Sequence, residues 1–162
     1  MSLNIYSTFA CSHQECATLI RTNGAKISYI IEGEPGIGKS SILKTLEKQM
    51  GDAYEYIYVD VPLKDIPDIA LSMPDHATQT TKAFINEIWK GKDLSKPKVI
   101  MLDEIFKGTP YVQLMMNRLL LEKTVGDYKL PENSIVFGTT NFATDGVGDK
   151  TNGHTNSRVA RI

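Results

Sequence analysis

Ile27-Ser28-Tyr29-Ile30-Ile31-Glu32-Gly33-Glu34-Pro35-Gly36-Ile37-Gly38-Lys39-Ser40-Ser41 is the stretch that decides how this chain folds. Its opening run, Ile27 to Ile31, is mostly β-branched or aromatic and suits a buried strand. Gly33 to Ser40 then fill the pattern G-x-x-x-x-G-K-[ST] without a gap. From Ser40 to Met50 the residues Ile42, Leu43, Leu46 and Met50 share one helical face, and Gly51 supplies a stop. Strand, glycine turn and helix in that order form the context in which this pattern binds phosphate. The glycines let successive backbone N–H groups converge on an anion, and the helix adds its positive end. Lys39 would reach the β- and γ-phosphates, and Ser40 would offer its hydroxyl to Mg2+. A glycine turn between strand and helix whose lysine is merely solvated is the competing account.

The same alternation continues along the chain. Tyr54 to Val61 reads as a second strand, Lys98 to Leu102 as a third and Ile135 to Thr139 as a fourth. Val61 to Pro74 contains Pro62, Pro67 and Pro74 and is expected to be largely loop. The spacing of Ala83, Phe84, Ile88 and Trp89 predicts a helix over Thr78 to Lys90, ended by Gly91. Pro110 is placed to open another helix, with Val112, Leu114, Met115, Leu119 and Leu120 on its buried side. Gly126-Asp127 between Thr124-Val125 and Tyr128-Lys129-Leu130 predicts a small hairpin, and Asp145 to Gly153 a glycine-rich loop. Short apolar strands alternating with helices call for parallel pairing with helices on both faces. The class is α/β, with a mainly parallel sheet flanked by helices.

Composition is consistent with this. The chain has 162 residues, of which 41% are hydrophobic and 23% charged, the proportions of one ordinary globular domain. No apolar run reaches the length of a membrane-spanning helix, and Met1 to Ala10 has neither a basic start nor an apolar core. Eighteen basic residues face nineteen acidic ones, for a net charge of -1, which argues against a protein held to nucleic acid by its own basic surface. Lys90, Lys92, Lys96 and Lys98 form the basic cluster and are expected to be a solvated loop. Cys11 and Cys16 are the only cysteines, and with His13 between them they make a small Cys/His group. A zinc site would call for a second pair of ligands from another segment, so a metal there is not expected. His76 and His154 are isolated in sequence and expected at the surface. The cysteine usage points to a reducing compartment, and a cytoplasmic location is expected.

Two further strands complete the candidate site. Val99-Ile100-Met101-Leu102 runs into Asp103-Glu104 at the strand's C-terminal end, where open α/β sheets place ligands. Asp103 would hold the Mg2+ shell, and Glu104 would polarise water toward the γ-phosphate. Two solvated acids at a strand end are the plainer alternative. The fourth strand ends in Thr139-Thr140-Asn141, whose terminal amide could order the attacking water, although asparagine also simply favours turns.

Phosphate loop, a strand ending in Asp-Glu and a strand ending in Thr-Asn together resemble an AAA+ ATPase. Leu102-Asp103-Glu104-Ile105 through Met116, with Leu120-Leu121-Glu122, Leu130-Pro131 and Thr140-Asn141, is similar to the MoxR-like and dynein-related branch. Asn141 to Arg158, with Thr144-Asp145-Gly146-Val147-Gly148-Asp149, is similar to bacterial and phage members of it. The resemblance covers roughly residues 25 to 162. It implies a P-loop NTPase three-layer sandwich, with a helical or irregular segment over 1–24 and the nucleotide-binding core over 25–162. The chain reaches Ile162 where the family's final core strand would be starting, so the helical lid is expected to be missing.

By resemblance, Gly33, Glu34, Pro35, Gly36, Ile37, Gly38, Lys39, Ser40 and Ser41 would be Walker A. Asp103 and Glu104 would be Walker B, with Ser40 and Asp103 on the metal, and Asn141 sensor 1. Arg158 falls where the family carries its arginine finger, with Arg161 the runner-up. Phe106-Lys107 stands where the branch has Asn-Arg.

The implied activity is ATP hydrolysis with Mg2+, slow in a lid-less chain, driving the remodelling of a protein partner by a homo-oligomeric ring. Val61 to Pro74 and the Thr124 to Leu130 hairpin would be segments facing that substrate. A nucleic-acid-acting helicase or loader and an ATP-sensing module with little turnover are the alternatives. A GTPase is disfavoured because no Asn-Lys-x-Asp occurs, and a small-molecule kinase because adjacent carboxylates suit activation of water.

Overall fold

A computed structural model describes residues 11–141 and, for the backbone, 159–161. The Asp145 to Gly153 loop, His154 and Arg158 lie outside the described residues.

The apolar runs form the strands of one parallel sheet. Strand β1 (Ser28–Gly33) is followed by helix α2 (Ser41–Met50), after a first helix α1 (His13–Asn23). Strand β2 (Glu55–Asp60) leads through α3 (Ile66–Ile69) into a hairpin of β3 (Ala70–Asp75) and β4 (Thr80–Ile85). Strand β5 (Lys98–Asp103), helix α4 (Pro110–Glu122), a second hairpin of β6 (Thr124–Val125) and β7 (Tyr128–Lys129), strand β8 (Ile135–Asn141) and strand β9 (Val159–Arg161) complete the order. The central sheet runs β2-β5-β8-β1-β9, all neighbours parallel. Parallel neighbours require crossovers, so the connections from β1 to β2, β2 to β5 and β5 to β8 each pass over a face of the sheet.

Alternate strand residues serve opposite faces, which is why the strands are apolar throughout. Tyr29, Ile31, Val99, Met101, Ile135 and Phe137 pack with Ile20 of α1 and Ile42, Leu43 and Leu46 of α2. Ile30, Ile57, Val59, Ile100, Leu102 and Val136 pack on the other face with Val112, Met116, Leu119 and Leu120 of α4. Helix α1 begins at a capping box, in which Ser12 and Glu15 satisfy each other's backbone N–H at 2.8 and 3.3 Å. Helix α4 opens on Pro110 behind the Thr109 cap and ends at left-handed Lys123. The Lys123 ammonium gathers the carbonyls of Gly24, Ala25 and Ser134, tying α4 to β8 and to the chain leading into β1.

The segment between β2 and β5 corrects the sequence reading twice. Residues 78–90 are not a helix, and residues 61–74 are not merely loop. Ala70–Asp75 pairs antiparallel with Thr80–Ile85, and Leu71 faces Phe84 across the ribbon. Ala83 and Ile85 are half-buried while Lys82 and Phe84 are exposed, a period of two that the helical reading mistook for one face. Thr80, Thr81 and Ile85 are β-branched, a local signal that favoured a strand. Trp89, expected on that helix, is instead buried from a single 3-10 turn, its indole donating to the Asp68 carbonyl at 3.2 Å.

Lys98 is the third correction. It does not belong to a solvated basic loop: it is fully buried, and its ammonium bonds the Glu55 carboxylate and the Asp93 carbonyl. Glu55 also accepts from the backbone of Lys92 and Asp93, both at 3.1 Å, so one carboxylate holds the loop that precedes β5. The Lys98 contact holds the Glu55 carboxyl below its ordinary value of 4.5, against the opposing effect of burial. The folded protein therefore binds fewer protons at Glu55 than the unfolded chain does. This contribution to stability is complete above pH 4.5 and is lost as pH falls below it through the folded value. Glu55→Gln should cost about 3 kcal/mol at pH 7, since it leaves a buried ammonium without its counter-charge. Urea melts should show that difference shrinking at acid pH, and a pH-independent difference would exclude the ion pair as its source.

Candidate active site

The glycine-rich pattern begins inside β1, whose last residue is Gly33, and ends where α2 starts at Ser41. Gly36 and Gly38 adopt φ of 79° and 88°, the left-handed region that favours glycine. Nothing lies near a Cβ added to Gly36, so conformation alone selects glycine there. At Gly38 space matters as well, because a Cβ would sit 3.0 Å from the His13 imidazole. Glu34, Pro35 and Ile37 form the exposed outer rim of the loop. Ser41 ties the turn back, its hydroxyl donating to the Gly38 carbonyl at 2.7 Å.

Lys39 is buried within this turn. Its ammonium donates to the carbonyls of Gly33 at 2.9 Å and Glu34 at 2.8 Å, and to Asn141 Oδ1 at 2.9 Å. Ser40 occupies the N-cap position of α2 without capping it; its hydroxyl turns to Asp103 Oδ2 at 3.1 Å. The end of β5 thus meets the start of α2, although 63 positions separate the two residues.

β8 lies between β1 and β5, so its C-terminal end meets both. Thr139 donates to Asp103 Oδ1 and accepts from the Glu104 N–H at 3.2 Å, and its carbonyl takes the Ile105 N–H at 3.0 Å. One threonine therefore orients both acids. Glu104 stands at φ 51°, an uncommon conformation for a residue with a side chain and one that recurs at active sites. Its Oε1 lies 2.9 Å from the Lys107 ammonium and 3.4 Å from Asn141 Nδ2. Asn141 thereby links Lys39 on one side to Glu104 on the other.

Lys39, Ser40, Asp103, Glu104 and Asn141 are brought together at the C-terminal ends of three adjacent strands. Arg158 is outside the described residues. The Arg161 backbone pairs with Ile30 on the β9 edge of the sheet. Three participants escaped the sequence reading. Thr139 was visible only as part of a polar strand end. Lys107 was noted only as a departure from the branch, yet it pairs with Glu104. Tyr58 on β2 donates to Asp103 Oδ2 at 2.7 Å, and nothing in its local sequence announces that contact. Burial, then the bond to Asp103 and nearby carboxylates, push the Tyr58 phenol up, so it remains a donor. Cys16 of the small Cys/His group is buried in the core, and that burial pushes its thiol up to about 11.

A family model for the AAA domain, dynein-related subfamily, matches residues 28–134. The chain belongs to this family. As an AAA ATPase domain it binds a nucleotide, and the geometry above shows where its loop, acids and amide lie. The match covers both the loop and the two acids, and it ends before Asn141. Among solved structures, the fold is similar to a candidate ATPase from Cytophaga hutchinsonii, with a TM-score of 0.55 at 19% identity. That similarity covers 91% of this chain and 44% of the other, so this AAA domain spans less than half the length of its structural neighbour. No curated protein sequence matches the chain. No helix among the described residues is long and apolar enough to cross a membrane.

Proposed function

We propose that this AAA domain binds ATP with Mg2+ at residues 33–41 and hydrolyses it through Glu104. The observation that carries the reading is the meeting of Lys39, Ser40, Asp103, Glu104 and Asn141 at one sheet edge. The Lys39 ammonium, already drawn into the turn, would exchange loop carbonyls for phosphate oxygens. One hydroxyl and one carboxylate, Ser40 and Asp103, are hard oxygen donors of the kind Mg2+ accepts alongside substrate phosphates. When bound, Mg2+ supplies charge neutralisation for the phosphates. Glu104 would accept a proton from the water that attacks the γ-phosphorus, with ADP leaving from the opposite side. Asn141, within reach of both Lys39 and Glu104, would orient that water.

The finer reading extends this to a machine. In a homo-oligomeric ring Arg158 would enter the neighbouring subunit's site and stabilise charge on the transferring phosphoryl group, and turnover would drive remodelling of a protein partner. The β6–β7 hairpin and the segment over 61–74 are the candidate substrate-facing elements. The decisive experiment is phosphate release from ATP as a function of protein concentration. Specific activity should rise with concentration in the unaltered chain and stay flat in Arg158→Ala. Mixing Arg158→Ala with Glu104→Gln should restore activity, because some interfaces pair an intact base with an intact arginine. No recovery in assembled mixtures would exclude an arginine acting in trans, and no ATP hydrolysis at any concentration would exclude the enzyme itself.

A further inference from the structure

We propose that Tyr58 is a positioning residue for the magnesium site, holding the Asp103 carboxylate in one orientation from the neighbouring strand. The proposal rests on the nucleotide reading above and adds to it a residue outside the glycine-rich loop and the Asp103-Glu104 pair. β2 and β5 run parallel, with Tyr58 level with Met101 and Asp60 level with Asp103. Tyr56 packs on the α1–α2 face of the sheet, and the two-residue period puts Tyr58 on that same face. Asp103 meets Ser40, the N-cap residue of α2, there. From two residues back along its strand, the long phenol is able to span to the carboxylate, with its oxygen 2.7 Å from Oδ2.

An acceptor count gives the contact its meaning. A carboxylate has about four lone-pair positions. Ser40 and Tyr58 both donate to Oδ2, and Thr139 donates to Oδ1. Three hydroxyls from three elements leave about one position open on Asp103, on Oδ1. The carboxylate is thus held against rotation with its remaining lone pair available to the shell of a cation. Packing does not require this hydroxyl. Tyr58 is 46% exposed, and phenylalanine would fill the same space on the strand.

Two effects oppose each other when the hydroxyl is removed. Asp103 would lose a donor and gain charge density, which favours a cation, but it would also lose its fixed orientation. Removing partners that orient metal ligands typically weakens metal affinity, by about 10- to 100-fold, so orientation outweighs charge density.

Tyr58→Phe in the full chain tests this with a non-hydrolysable ATP analogue. Calorimetric titrations at a series of Mg2+ concentrations should show the half-saturating Mg2+ concentration raised about 10-fold. Affinity for the analogue in EDTA and the thermal midpoint should both be unchanged. The same substitution in an Asp103→Ala background should add nothing, since its effect passes through that carboxylate. An unchanged Mg2+ dependence overturns the proposal. So does a shift that appears together with lost metal-free affinity and a lower thermal midpoint, which is the signature of a structural role. If the unaltered chain fails to bind the analogue with or without Mg2+, the nucleotide reading falls as well, whereas binding with an unchanged Mg2+ dependence removes Tyr58 alone.

Discussion

Glu104→Gln should bind ATP as tightly as the unaltered chain while releasing phosphate about 10²–10⁴-fold more slowly, the usual loss when a general base is removed. Glutamine keeps the size of the side chain and an oxygen for Asn141 Nδ2, which lies 3.4 Å away, but it cannot take a proton from water. The substitution also removes the negative charge that faces Lys107 at 2.9 Å. That pair is about one-third exposed on both sides, so its loss should cost no more than about 1 kcal/mol. A collapse of turnover could not then be attributed to unfolding. Single-turnover phosphate release beside calorimetric ATP titration separates the two readouts. Turnover equal to that of the unaltered chain would remove Glu104 from the chemistry.

Lys39→Ala should act one step earlier, on binding. The ammonium makes bonds of 2.8 to 2.9 Å to two loop carbonyls and to Asn141, and each is a position from which it can turn to a phosphate oxygen. Hydrogen bonds to charged groups contribute about 1.5–3 kcal/mol each, so loss of one such contact should weaken ATP binding by about 10- to 100-fold. The effect should be smaller for adenosine, which presents no phosphate to the lysine. Equal losses for ATP and adenosine would mean that the alanine had deformed the loop rather than removed a phosphate ligand. Unchanged ATP affinity would overturn the assignment of residues 33–41.

What could be read from the sequence alone lay close together along the chain. The strand ending at Gly33, the turn through Gly36 and Gly38 and the helix after Ser40 are consecutive, and local backbone geometry with the 3.6-residue period specifies them. Asp103-Glu104 was legible because two acids directly follow an apolar run, and strand ends in α/β sheets point toward ligands. The 78–90 segment misled because a short apolar set fits either period, and pairing with β3 decided between them. Lys98 could be placed in the core only once Glu55, 43 positions away, stood beside it to compensate the buried charge. Thr139, Lys107 and Tyr58 entered the site for a related reason. Each reaches Asp103 or Glu104 through side-chain contacts that a local motif does not record. Tyr58 and Thr139 depend on β2 and β8 flanking β5, and Lys107 on the turn that follows Glu104. Residue order determined the glycine turn after β1 and the two acids after Leu102, and the sheet order determined which other side chains hold them, because contacts between strands depend on neighbours that can be far apart in the chain.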